Sequence, residues 1–238
     1  MPAAFQQGSL TFSASVFAIF VVLALWKAIV RRDPLLLFCV LGGLGIGIVE
    51  PVCDVLGMIY HPEIGQITAF TAIGRKIPWH VVLLLAWYYA GFAWLLASPA
   101  GARLGRSGFW KLFAGLVVFS TILEIQPVQG GLWKYYGVQP FMVAGMPLWW
   151  FVVNAVSAMA GGTLATLATR ADTGWKRWPI VLLLPVGIFG SHAGVSMPTY
   201  IAMNMDISPF CIQLAGVVTM IFSLVLIRFC AQQLYPAR

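Results

Sequence analysis

The stretch LLLFCVLGGLGIGIVEPVCDVLGMIY, residues 35–60, decides how this chain folds. An uncharged run rich in Leu, Val and Ile leads straight into Glu50 and Pro51, and Asp54 and Tyr60 follow. A run of this kind reads as a membrane-spanning helix. At 1.5 Å per residue, Glu50 stands about 22 Å along it. A carboxyl group carried into hydrocarbon costs about 3 kcal/mol or more unless it is shielded or neutralised, so an acid at that depth marks a functional site. Proline at the next position disfavours helical geometry at Glu50 and predicts a kink there, with freed carbonyls that must face protein or water.

Working outward, the whole chain has the same character. Of its residues 61% are hydrophobic and 9% charged, with a mean hydropathy of +0.90. These values lie far outside the soluble range. Apolar runs predict about seven helices, at 10–30, 35–58, 78–98, 109–126, 144–168, 179–202 and 208–233. The expectation is an all-α polytopic membrane protein, one helical domain over residues 1–238, with no room for a soluble domain. The first run lacks a basic segment before it and reads as a retained helix rather than a cleaved leader.

The net charge of +7 invites a nucleic-acid partner, but the placement of the basic residues has a simpler cause. Lys27, Arg31, Arg32, Arg103, Arg106, Lys111, Arg170, Lys176, Arg177, Arg228 and Arg238 fall on one face of the predicted topology; Arg75, Lys76 and Lys134 fall on the other. That asymmetry predicts an N-terminus outside and a C-terminus in the cytoplasm, with membrane lipids rather than nucleic acid as the surroundings.

A second stretch, FSTILEIQPVQGGLWKYYG over residues 119–137, repeats the design of the first. Each carries an acid near the outer end of a span (Glu50, Glu124), then a proline, glycines and tyrosines. Each returns behind a proline and tryptophan, Pro78-Trp79 or Pro147-Leu148-Trp149-Trp150. Helices 2–3 and 4–5 therefore read as a parallel internal repeat, one way of building a site between two halves of a bundle. On this topology Asn154 lies near mid-membrane, His192 in the outer third and His80 at the outer face, so the reactive groups gather on one side. Glu50 and Asp54, four residues apart, share a helix face if the helix continues. Two carboxyls in a poorly solvated place cannot both ionise cheaply, so at least one is expected to hold its proton. The alternative is that both glutamates are structural, hydrogen-bonded to Asn154, a tyrosine or a histidine. His61 reads as a loop residue.

No H-x-x-H pair, His cluster or Asp-rich diphosphate motif is present, and no glycine-rich phosphate loop. The four cysteines lack metal-ligand spacing and read as packing residues. The expectation is chemistry with no metal and no cofactor. Aromatic residues crowd the outer face, including Trp79, Tyr88, Trp133, Tyr136, Trp149 and Trp150. Part of this is the usual interfacial belt. Beside two acids, however, aromatic faces can also stabilise a positive charge on a hydrocarbon.

The segment from Glu124 through Gly131, Trp133, Tyr135-Tyr136-Gly137, Gly145 and Pro147 to Asn154 resembles small integral membrane enzymes of natural-product biosynthesis, namely the avermectin spiroketal cyclase-like family and the carotenoid hydratases. The stretch from Glu50 to Pro62 resembles the seven-helix fungal meroterpenoid cyclases. The last helix has no counterpart of those cyclases' second acid. What these resemblances imply is acid-initiated chemistry on a lipophilic substrate. The expected activity is intramolecular cyclisation of an isoprenoid alkene or epoxide, with Glu50, Glu124 and Asp54 as catalytic groups. Trp79, Tyr88, Trp133, Tyr136, Trp149, Trp150, Asn154 and His192 are expected at the substrate. Two alternatives stand beside it: a spiroketal-forming cyclase or hydratase acting on a polyketide or carotenoid, and a seven-helix carrier or receptor for a small lipophilic ligand. Oligomeric state is not encoded in these features.

Overall fold

A computed structural model describes residues 3–236; Arg238, part of the charge asymmetry, and the outer ends of the 1–238 domain lie outside the described residues. The helices are α1 (Ala3–Val30), α2 (Leu35–Ile46), α3 (Glu50–Leu56), α4 (Trp79–Ala97), α5 (Pro99–Arg103), α6 (Gly105–Gln129), α7 (Leu148–Ala171), α8 (Ile180–Met203) and α9 (Pro209–Leu234). Six of them are long and apolar enough to cross a membrane, and there are seven spans if α2 and α3, bent by 44° at their junction, form one broken span.

The bend falls at Gly47–Val49, just before the acid rather than at it. Pro51 then sits in the first turn of α3, where its missing N–H would have had no intrahelical partner anyway. Helix α1 begins earlier than its apolar run predicts, at Ala3. Helix α6 runs through Pro127 to Gln129 instead of stopping at 126. The predicted fifth helix loses residues 144–147, which belong to strand and turn.

Helix α7 forms the centre. It packs against α4, α8, α9 and α6, and α2 packs against α4 and α8. Small residues allow the close approach: a side chain at Gly43 would run into the backbone carbonyl of Ala86 on α4. The outer surfaces of α1, α6, α8 and α9 expose Ile29, Val118, Val186, Phe210 and Val225. An apolar exterior of this kind suits hydrocarbon and is costly in water.

Short strands, in segments whose sequence predicts loops, cap one end of the bundle. They are β1 (Ile59–Tyr60), β2 (Thr68–Ala72), β3 (Arg75–Pro78), β4 (Lys134–Tyr135), β5 (Met142–Val143) and β6 (Met146–Pro147). Two of their hairpins share one turn geometry. The β2–β3 hairpin turns through Ile73 (φ 51°) and Gly74 (φ 69°), and the β5–β6 hairpin through Ala144 (φ 50°) and Gly145 (φ 78°). Two consecutive positive-φ residues are the signature of a two-residue hairpin loop. Each hairpin leads into a long helix, α4 or α7. The strands that follow the two acid-bearing helices, β1 and β4, pair antiparallel with each other, Ile59 opposite Tyr135 and Tyr60 opposite Lys134. This pairing brings the two halves together directly above the acids.

Candidate functional site

Beneath the β1–β4 pair lies a cavity with about 70 Å³ of free space. The two halves each supply an acid to its wall: Glu50 from the start of α3 and Glu124 from α6. Asn154 of α7 and His192 of α8 join them, with Tyr89, Trp133, Tyr135 and Trp150 as aromatic walls.

The two acids have different surroundings. Glu124 is buried and accepts hydrogen bonds from the Tyr135 hydroxyl at 2.6 Å, Asn154 Nδ2 at 3.3 Å and the Trp133 indole N–H at 3.4 Å. Three donors aimed at one carboxyl favour its anionic form and work against the cost of burying a charge there. Burial, and next the charge of Glu124, hold the ionisation of Tyr135 well above the usual phenol range, so this loop residue stays a donor. Glu50 lacks any such donor among the described residues. The Glu50 side chain instead shares its helix face with Asp54, which is completely buried.

Asp54 meets a residue that was expected to be an ordinary loop residue. The first residue after β1, His61, folds back under the strand pair and is only 7% exposed. Its Nε2 stands 3.5 Å from Asp54 Oδ2, and its ring meets Trp133 edge to face at 6.1 Å. Among the described residues neither oxygen of Asp54 and neither nitrogen of His61 has a hydrogen-bond partner. One ligand-type atom from each of Glu50, Asp54 and His61 lies within 4.8 Å of the other two. His61 also lines a polar depression on the strand side, together with Asp54, Glu63, Arg75 and Lys76.

The other expected residues divide into two groups. Trp133, Trp150, Asn154 and His192 face the cavity. The His192 Nδ1 lies 3.1 Å from the Tyr200 hydroxyl, and its ring meets Trp150 at 5.0 Å. The remaining four do not line the cavity. Tyr88 is turned away to share a 2.7 Å hydrogen bond with Ser120, and its neighbour Tyr89 lines the cavity instead. Trp149 packs against Trp150 and Tyr200. Tyr136 is at the surface with its hydroxyl bonded by Arg75, and Trp79 is 43% exposed at the start of α4. His61, Tyr89 and Tyr135 are the residues that the sequence reading passed over.

A second, apolar cleft of about 650 Å³ runs between α1, α4 and α6. It shares Leu84 and Trp133 with the cavity as a common wall. The rest of its lining includes Phe5, Phe12, Ile122 and Leu132.

No family model, curated protein or solved structure matches the chain.

Proposed function

We propose that this protein is an integral membrane enzyme of seven spans that cyclises a lipophilic isoprenoid, an alkene or an epoxide, by acid–base chemistry. The basic residues at the helix ends opposite the strands orient it with the N-terminus and the cavity on the outer side. One observation carries the reading. Acids from two equivalent halves converge on a single aromatic-walled cavity, one held by three donors and the other by none.

Such a cyclisation needs a proton given at one place and taken at another. The Glu50, Asp54 and His61 wall delivers the proton to the alkene or the epoxide oxygen. The resulting cation is attacked by an internal double bond, which forms the ring and moves the positive charge along the chain. The faces of Tyr89, Trp133 and Trp150 and the Glu124 carboxylate stabilise that charge. Loss of a proton from a neighbouring carbon to Glu124 restores the double bond. The product is an isomer of the substrate; Glu124 then releases its proton to water and the wall regains one through the polar depression behind His61, so no proton is consumed overall.

A cavity of about 70 Å³ cannot hold a whole isoprenoid. Its reacting end would occupy the cavity while the chain lies in the cleft beyond Leu84 and Trp133. The reading is tested by incubating the purified protein in detergent with polyprenyl alkenes and their terminal epoxides. Conversion to a cyclic product of unchanged mass supports it. A product heavier by one water would identify a hydratase, the second reading, which the polar depression behind His61 favours. No conversion, with counterflow of the same lipids in proteoliposomes, would assign a carrier instead.

A further inference from the structure

Two carboxyl groups and an imidazole are packed together at the cavity wall, Glu50 partly buried and Asp54 and His61 buried, with one close contact between His61 and Asp54 and no hydrogen-bond donor for either Asp54 oxygen among the described residues. Asp54 is completely buried, yet both of its oxygens lack a donor. His61 is nearly as buried, and both of its ring nitrogens lack a partner. Buried polar groups left this way cost about 1–3 kcal/mol each, and more when charged. The 3.5 Å contact between His61 Nε2 and Asp54 Oδ2 is an ion pair when the imidazole is protonated but not a hydrogen bond, so the ring nitrogens and both Asp54 oxygens keep unused bonding capacity among the described residues.

We infer that Glu50, Asp54 and His61 bind a divalent transition-metal cation. The spacing fits, since ligand atoms each about 2.1 Å from one tetrahedral metal lie about 3.4 Å from one another. The observed pair stands at 3.5 Å, and all three atoms lie within 4.8 Å, so modest side-chain rotation closes the set. The charge fits as well. Two carboxylates and a dication sum to zero, the cheapest state for a cluster at the edge of a bilayer. The donor set of one imidazole and two carboxylates selects Zn²⁺, Mn²⁺ or Fe²⁺ over Mg²⁺ or Ca²⁺, which prefer oxygen alone.

The local fold supplies the rest of a binding site. Four-residue spacing on α3 puts Glu50 and Asp54 on one face. The β1–β4 pairing holds the segment carrying His61 above them. The depression lined by Asp54, His61, Glu63 and Lys76 gives an ion a way in from the strand side, and Glu50 and His61 also line the cavity. A cation held there has one side toward the substrate cavity, where an open position would polarise an oxygen. The ligands are spread as E-x3-D-x6-H across a helix, a turn and a strand, so no short motif announces them.

The inference stands apart from the cyclase reading and changes one part of it: with an ion on Glu50, Asp54 and His61, the proton assigned to that wall would come from a water on the ion rather than from the ligands themselves. Its test is elemental analysis of the protein purified in detergent without chelator, followed by titration of chelator-treated protein with Zn²⁺ and Mn²⁺ while its thermal unfolding is monitored. About one equivalent of metal per chain is expected, with a raised unfolding temperature on adding it back. Asp54→Asn and His61→Gln should each weaken binding by more than ~100-fold, beyond the loss typical of groups that only support a ligand. Glu63→Gln, at the exposed rim, should not. Wild-type protein that carries no metal and is not stabilised by Zn²⁺ or Mn²⁺ overturns the inference, as does equal binding by Asp54→Asn and wild type. A metal-free protein that still cyclises isoprenoids would leave the proposed function standing. A metal-loaded protein inactive on all of them would do the reverse.

Discussion

The Tyr135 hydroxyl donates a 2.6 Å hydrogen bond to the Glu124 carboxylate, and Tyr135 is also the residue through which β4 pairs with Ile59 of the other half. One side chain thus ties the strand pairing that closes the cavity to the acid inside it.

Replacing that hydroxyl isolates its contribution. Tyr135→Phe should fold, lose about 1.5–3 kcal/mol of stabilisation of the Glu124 anion, and lower turnover by roughly 10- to 100-fold. It should also change the alkaline stability. Because the phenol of Tyr135 ionises well above its ordinary value of 10.0, the folded state keeps a proton that the unfolded chain gives up. Its contribution is complete below pH about 10 and is lost as pH rises from there toward the raised folded value. Thermal unfolding in detergent across pH 8–11 should fall less steeply for Tyr135→Phe than for wild type.

The wall between cleft and cavity should control access. Leu84→Trp adds bulk where the two spaces adjoin. It should raise KM for long-chain substrates by ~10-fold or more, with a smaller effect on short ones, since the chain would no longer pass. Steady-state kinetics against chain length measures this directly.

The β5–β6 hairpin makes a prediction about stability at an exposed turn. Ala144 holds φ 50° in the loop of the β5–β6 hairpin, where a residue other than Gly or Asn is strained. Ala144→Asn should raise stability by about 0.5–1 kcal/mol without changing activity. Its unfolding temperature, compared with that of wild type, is the readout.

The α2–α4 contact should be intolerant in the opposite way. A methyl group at Gly43 would meet the Ala86 carbonyl oxygen, a backbone atom that cannot move aside independently. Gly43→Ala should cost about 1–3 kcal/mol and lower the unfolding temperature.

These relationships were unevenly legible in the sequence. Long apolar runs and their charged ends locate the helices, because hydrocarbon demands them. The acids Glu50 and Glu124 stand out for the same reason, and the Pro-Trp returns mark where the strands end and α4 and α7 begin. The rotation of each helix is a different matter. A span that is apolar all round carries no periodic signal of which face points inward, so Tyr88 is indistinguishable from Tyr89 without the packing of α4 against its neighbours. Tyr135 and Tyr136 are separated only by strand alternation, which puts one toward Glu124 and the next toward Arg75. His61 was hidden because its burial depends on the pairing of β1 with β4, strands too short to leave a pattern.

The central claim is that Glu50 and Glu124 work as a pair across one cavity. The most direct measurement is the rate of isoprenoid cyclisation by wild type, Glu50→Gln, Glu124→Gln and the double variant, each shown to be folded. Either single change should lower turnover by ~100-fold or more, and the double variant should be scarcely worse than the poorer single, as expected of groups acting as a unit. Unchanged turnover in both single variants would contradict the account.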